Sequence, residues 1–180
     1  MKIAVYHNLP SGGGKRALTE MVRALSPRHE VDVYTLSCAE HEFADLRPLV
    51  NRHTVFPFEP DRLFQSPFGR LNQIQRMRTL RRLRQVNRAI AVEIDDAGYD
   101  IAFVHNCRFS QSPPILTFLK TPTVYYCGEP LRDFYEPYPR MVEKGLVRQA
   151  LDRIDPLPRL FLRMQAGMDR ESALAAGTVS

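Results

Sequence analysis

Short, wholly apolar blocks alternate along this chain with stretches whose apolar residues recur at helical spacing. Residues 3–5, 31–36, 101–105 and 123–127 are rich in β-branched and aromatic side chains, as strands covered on both faces should be. Between the first two blocks, Ala17, Leu18, Met21, Val22 and Leu25 lie at helical intervals with Lys15, Arg16, Glu20 and Arg23 between them. The short strand–helix–strand link implies parallel pairing. The pattern predicts an α/β fold with an open, mainly parallel sheet flanked by helices.

Further elements follow from the same pattern. A short helical segment is expected around residues 42–50, with an edge-like strand at 53–56 behind it. Residues 57–68 mix prolines with aromatics and read either as a loop packed over the sheet or as a hydrophobic lip for a lipid-linked acceptor or membrane. A long helix is expected over 70–97. Its second half places Leu83, Val86, Ile90, Ile94 and Ala97 on one side, with Arg81, Arg84 and Arg88 opposite. That basic side reads as a solvated face or as a contact for anionic lipid. Ser112 is expected to cap a short helix that Pro113 and Pro114 open and that runs through Leu119. Helical sequence resumes from Arg140, breaks near Pro156 and Pro158, and continues over 159–175. Residues 177–180 look like the start of another strand, so the chain is expected to be the front half of a longer protein.

The turn after the first strand carries the most chemistry. Three consecutive glycines, Gly12, Gly13 and Gly14, let another molecule approach the backbone at a helix N-terminus, where free N–H groups favour an anion. Lys15 and Arg16 add charge. A merely tight loop is the alternative. The phosphate-loop motif fails, because Leu9 stands where its first glycine belongs and Arg16 follows the lysine. Gly12, Gly14 and Ala17 match the dinucleotide fingerprint literally, but they come late after the strand. The second strand also ends in Ser37-Cys38 and not in an acid, which argues against a nicotinamide cofactor.

At 180 residues the length suits one well-buried domain. No apolar run approaches the ~20 residues of a membrane span, and the opening residues read as a strand and not a signal peptide, so the expected compartment is the cytoplasm. Net charge is +5, with 21 of the 25 basic residues arginine. Without zinc-finger spacing, a recognition helix or an aromatic RNA motif, nucleic acid is not an expected partner. The basic excess suits anionic substrates or an anionic membrane surface. Cys38, Cys107 and Cys127 are odd in number and widely spaced, which argues against a disulfide framework or structural zinc, and all three fall just past predicted strands. Ligands of open α/β sheets bind at the C-terminal ends of strands. That makes His105 either a site residue or a core histidine with a backbone partner. It also draws attention to the loop of residues 128–137, dense in carboxylates and aromatics.

The opening KIAVYHNLPSGGGKRALTEMVRAL, the strand GYDIAFVHN, the block TPTVYYCGEPLRDFYEP and the late helix leading into AAGTVS together resemble the N-terminal, acceptor-binding domain of family 4 glycosyltransferases of the GT-B fold. The resemblance spans essentially residues 1–180. It implies a Rossmann-like domain facing a second, donor-binding domain that is absent from this chain. It also implies sugar transfer with retention from a nucleotide sugar to a glycan or lipid-linked acceptor, without cofactor or metal, in the cytoplasm and in peripheral contact with the inner membrane face. On this view Gly12, Gly13, Gly14 and Lys15 bind the donor phosphates, His105 and Glu129 are catalytic candidates, and Asn106, Arg132 and Tyr135 serve the acceptor. Many members carry a histidine directly after the strand equivalent to residues 124–127; here Gly128 stands there. That departure, with the missing domain, leaves a non-catalytic glycan- or lipid-binding module as the alternative, and the 180 residues alone are not expected to complete a catalytic cycle.

Overall fold

The computed structural model describes residues 1–65, 68–129, 131 and 155–179, with the side chains of Phe68 and Arg70 excepted. Six parallel strands form one sheet: β1 (Lys2–Asn8), β2 (Glu30–Leu36), β3 (Arg52–Phe56), β4 (Ile101–Cys107), β5 (Thr123–Tyr126) and β6 (Thr178–Val179). Their order is β3-β2-β1-β4-β5-β6. With helices α1 (Gly13–Leu25), α2 (Asn72–Asp96) and α3 (Leu157–Ala175), this is the Rossmann-like architecture.

Strand alternation divides the core in two. Ile3, Val5, Val31 and Val33 face α1, meeting Leu18 and Val22. Ala4, Tyr6, Tyr34, Ala102 and Val104 face the other way, against Leu80, Leu83, Ile90 and Ile94 of α2 and Met168 of α3. Sheet order reverses between β1 and β4, so their C-terminal ends open a crevice. There the register slips: Tyr6 pairs with Val104 but Asn8 with Cys107. His105 and Asn106 together therefore oppose the single residue His7, a bulge that changes the direction of side chains at the strand end.

Several local expectations need correction. β1 runs on past the apolar block at 3–5 through Asn8, so His7 and Asn8 are strand residues. The helix expected around 42–50 is only a 3-10 turn at Arg47–Leu49. The Glu40 carboxylate takes the N–H groups of Glu42 and Phe43, and Ala44 adopts a positive φ of 53°, both of which break helical propagation. The buried stripe of α2 is Leu80, Leu83, Asn87, Ile90, Ala91 and Ile94; Val86 and Ala97 lie at its margin. Arg84 is not simply solvated, since both its terminal nitrogens pair with Glu171 of α3 at 2.7 Å. Ser112 caps nothing. Residues Pro114–Thr117 form a 3-10 turn after an extended Pro113, and the Ser112 hydroxyl instead accepts from Tyr125. Cys107 is the last residue of β4 and not beyond it.

Candidate functional site

The crevice between β1 and β4 holds a cavity of about 530 Å³. The glycine turn forms one wall, His105 and Asn106 line it from β4, and Gly128 and Glu129 line it from the end of β5. The topology thus brings Gly12, Gly13, Gly14, Lys15, His105, Asn106 and Glu129 to one place. Arg132 and Tyr135 lie outside the described residues.

α1 begins at Gly13, with Gly12 at its N-cap and no capping side chain. Gly12 has φ 143°, in the region that L side chains avoid. Nothing lies within 4 Å of a Cβ built on Gly12 or Gly13, so the first-turn backbone is open to the cavity. Its unsatisfied N–H groups form the positive end of a 13-residue helix.

His105 is 1% exposed. The Asn106 backbone N–H donates to its Nδ1 at 2.8 Å, which leaves the ring proton on Nε2. That Nε2 is buried without a hydrogen-bond partner among the described residues. Burial lowers the His105 pKa to about 4, so the ring is neutral at physiological pH and keeps an unused donor at the cavity wall. Tyr126 packs beside it, ring centroids 5.0 Å apart. A Cβ on Gly128 would come within 3.2 Å of the Tyr126 ring and 3.6 Å of the His105 ring, so these two rings already fill the space beside that glycine.

Lys15, expected to add charge at the turn, does so from a buried position. It is 1% exposed and turned under the loop, its Nζ 3.2 Å from Nε2 of His7. Desolvation lowers its pKa to about 8, against the opposing pull of Asp45 and Glu40. His7 is kept neutral, first by burial and then by Lys15. Asn106 commits its amide to the scaffold: Oδ1 accepts from Gly128 N–H at 3.0 Å, and Nδ2 donates to the Glu129 carbonyl at 2.9 Å and to Gln111 Oε1 at 3.3 Å.

Two lining residues that sequence reasoning missed are Arg108 and Gln111. They belong to a tight turn in which Cys107 and Gln111 exchange backbone hydrogen bonds at 2.7 and 2.9 Å, with Gln111 at φ 62°. No local motif marks such a turn, because glycine does not occupy its left-handed position. Among the described residues no cluster of three or more histidine, cysteine or acidic side chains could hold a metal ion. Nor is any of the described helices long and apolar enough to cross a membrane.

The fold and site define a Rossmann-like domain with a donor-rich cavity at the switch point of its sheet. No protein-family profile matches the chain, and no curated protein matches its sequence. Among solved structures, a UGT transferase from Siraitia grosvenorii in complex with UDP is similar over 70% of this chain, at 14% identity and a TM-score of 0.37. This chain covers 28% of that one.

Proposed function

We propose that this chain is the acceptor-side domain of a retaining glycosyltransferase that moves a sugar from a nucleotide-sugar donor to a glycan or lipid-linked acceptor. The observation that carries this reading is the sharing of one cavity by the open N-terminus of α1 and the unpartnered Nε2–H of His105. Sugar transfer from such a donor builds negative charge on the departing diphosphate. Fixed amides and a neutral N–H stabilise that charge without reorganising. Lys15 strengthens the same field from beneath the loop, and Glu129 lines the cavity from the end of β5. The opening residues of α2 support peripheral contact with an anionic membrane, which would bring a lipid-linked acceptor to the crevice.

The test uses inorganic pyrophosphate binding to the chain and sugar transfer by the longer protein expected to contain it. Gly13→Val, whose side chain has open space, should weaken both by on the order of tenfold or more by blocking the amides. Unchanged binding and transfer would sink the role given to the loop. The alternative, a non-catalytic binding module, draws on Gly128, where no side chain reaches the site. It requires glycan or lipid binding with no turnover of any sugar nucleotide.

A further inference from the structure

We propose that Arg108 forms a second oxyanion subsite in this cavity, which recognises an anionic group, phosphate or carboxylate, carried by the acceptor. The assignment to the acceptor rests on the glycosyl-transfer reading above; the subsite itself does not.

Arg108 is held across the mouth of the crevice by three elements. Its backbone N–H donates to the carbonyl of Asn8 at the end of β1, 3.0 Å away. Its Nη1 donates to the carbonyl of Cys38, just past β2, also at 3.0 Å. Its guanidinium carbon lies 5.6 Å from the ring centroid of Phe109. Phe109 is itself fixed, edge-on to Phe58 at 5.8 Å, with its carbonyl accepting from Gln165 of α3. The reciprocal Cys107–Gln111 hydrogen bonds close the turn despite the positive φ of Gln111. Backbone strain held this firmly at a cavity wall is a mark of a preorganised site.

The charge of Arg108 is not neutralised by its neighbours. No carboxylate among the described residues forms an ion pair with Arg108; exposed arginines such as Arg28 and Arg88 share that, but Arg108 alone of these three lines the cavity with its guanidinium anchored to the Cys38 carbonyl. One terminal nitrogen is spent on a neutral carbonyl. The rest of the planar fork remains for a ligand, with the geometry that suits phosphate or carboxylate. The fixed donors of the glycine turn line the same cavity from another wall. The cavity therefore offers two oxyanion-binding positions. A donor diphosphate accounts for the first, so the second falls to the acceptor.

Inorganic phosphate and pyrophosphate titrated into the 180-residue chain, followed by amide and arginine side-chain NMR, test this. Two independent phosphate sites are expected, one moving the signals of residues 12–15 and the other those of Cys38, Arg108 and Phe109. Arg108→Gln should weaken only the second by on the order of tenfold, Arg108→Lys should restore part of it, and signals from β2 and α1 away from the cavity should report an intact fold. Gly13→Val should weaken only the first. Phosphate shifts at Cys38, Phe109 and the backbone amide of position 108 that persist in Arg108→Gln would overturn the subsite. A single pyrophosphate that spans both positions, bound far more tightly than phosphate, would overturn the assignment to the acceptor and give Arg108 to the donor. Binding at Arg108 with none at residues 12–15 would leave the subsite standing and overturn the donor reading of the loop.

Discussion

The Nζ of Lys15 lies 3.2 Å from Nε2 of His7, and both side chains are closed off from solvent beneath the glycine turn. A buried amine and a buried imidazole are thereby stacked under the positive end of α1. Desolvation is the dominant cost to both, and the neighbouring Asp45 and Glu40 offset part of it for Lys15.

This arrangement predicts an alkaline gain in stability. Lys15 titrates near pH 8 in the folded chain and near 10.5 when unfolded. Between those values the unfolded state binds more protons, so the unfolding free energy rises with pH across that window. Below about pH 8 the penalty for the buried charge is felt in full. Urea unfolding at pH 7.5, 9 and 10 should show this rise in the wild type and lose it in Lys15→Met; equal pH slopes would contradict the buried ammonium. His41, His53, Asp45 and Glu40 also face this pocket of charge, so the comparison between the two proteins, and not the wild-type curve alone, isolates Lys15.

His105 carries the opposite end of the pH scale. Its pKa falls from 6.5 to about 4 on folding, so the unfolded chain takes up the proton first as the pH drops. Its contribution is present above pH 6.5 and is lost as the pH falls toward 4. Nitrogen NMR should find a neutral ring protonated on Nε2 from pH 5.5 to 8, and His105→Gln should show a shallower acid loss than the wild type. An imidazolium at pH 6 would refute the neutral donor.

The glycine turn separates two kinds of glycine. Gly12→Ala meets no neighbour but must hold φ 143°, and a loss of about 1–2 kcal/mol is expected. Gly13→Ala sits in the first turn of α1 with open space, and a gain of about 0.5 kcal/mol is expected. Thermal melts of the pair decide it; equal effects would mean that the turn is not shaped as described.

Asn106 joins the ends of β4 and β5 through three hydrogen bonds to Gly128, Glu129 and Gln111. Asn106→Ala removes these three hydrogen bonds and should cost on the order of 2 kcal/mol. Faster hydrogen exchange at Gly128 should accompany the loss; protection equal to the wild type would show that the amide does not hold that loop.

The start of α2 predicts membrane behaviour. Asn72 bonds the backbone of Phe64 in both directions, and Asp61 bonds Thr79 and Arg82, so the preceding segment is strapped along the helix. Leu63 (51% exposed) and Phe64 (44%) are thereby tied to the start of α2, which itself exposes Ile74 (37%) next to Leu71 (41%), and Arg62, Arg78 and Arg81 are exposed on the same stretch. Exposed apolar residues with exposed arginines on the same segment suit anionic lipid. Co-sedimentation with phosphatidylglycerol vesicles should fall with added salt and in Phe64→Ser. No binding at low salt would exclude the contact.

The layout of strands and the major helices was legible because each rests on a short-range pattern. The blocks at 31–36 and 101–105 are short, β-branched and aromatic, as buried strands are, and Leu18 and Val22 recur at helical spacing within a longer helical pattern. The expected helix at 42–50 failed because a single side chain, that of Glu40, competes for the backbone donors there, and composition does not show which group wins. Residues 57–68 were readable either as a loop over the sheet or as a lip; Phe58 is buried against Phe109 while Leu63 and Phe64 stay exposed, and the bonds of Asn72 to Phe64 that hold this segment were not legible.

What the amino-acid order alone determined is the parallel sheet and the placing of a glycine turn, His105 and Glu129 at strand ends. Those follow from hydrophobic periodicity and from the rule that chain direction sends every parallel strand's C-terminus to one edge. Tertiary structure decided which of those residues meet. The one-residue bulge that sets His105 and Asn106 against His7, the inward turn of Lys15, and the reach of Arg108 across β1 to Cys38 depend on distances between strands far apart in sequence. No local pattern encodes such distances, because they are set by how the whole sheet packs.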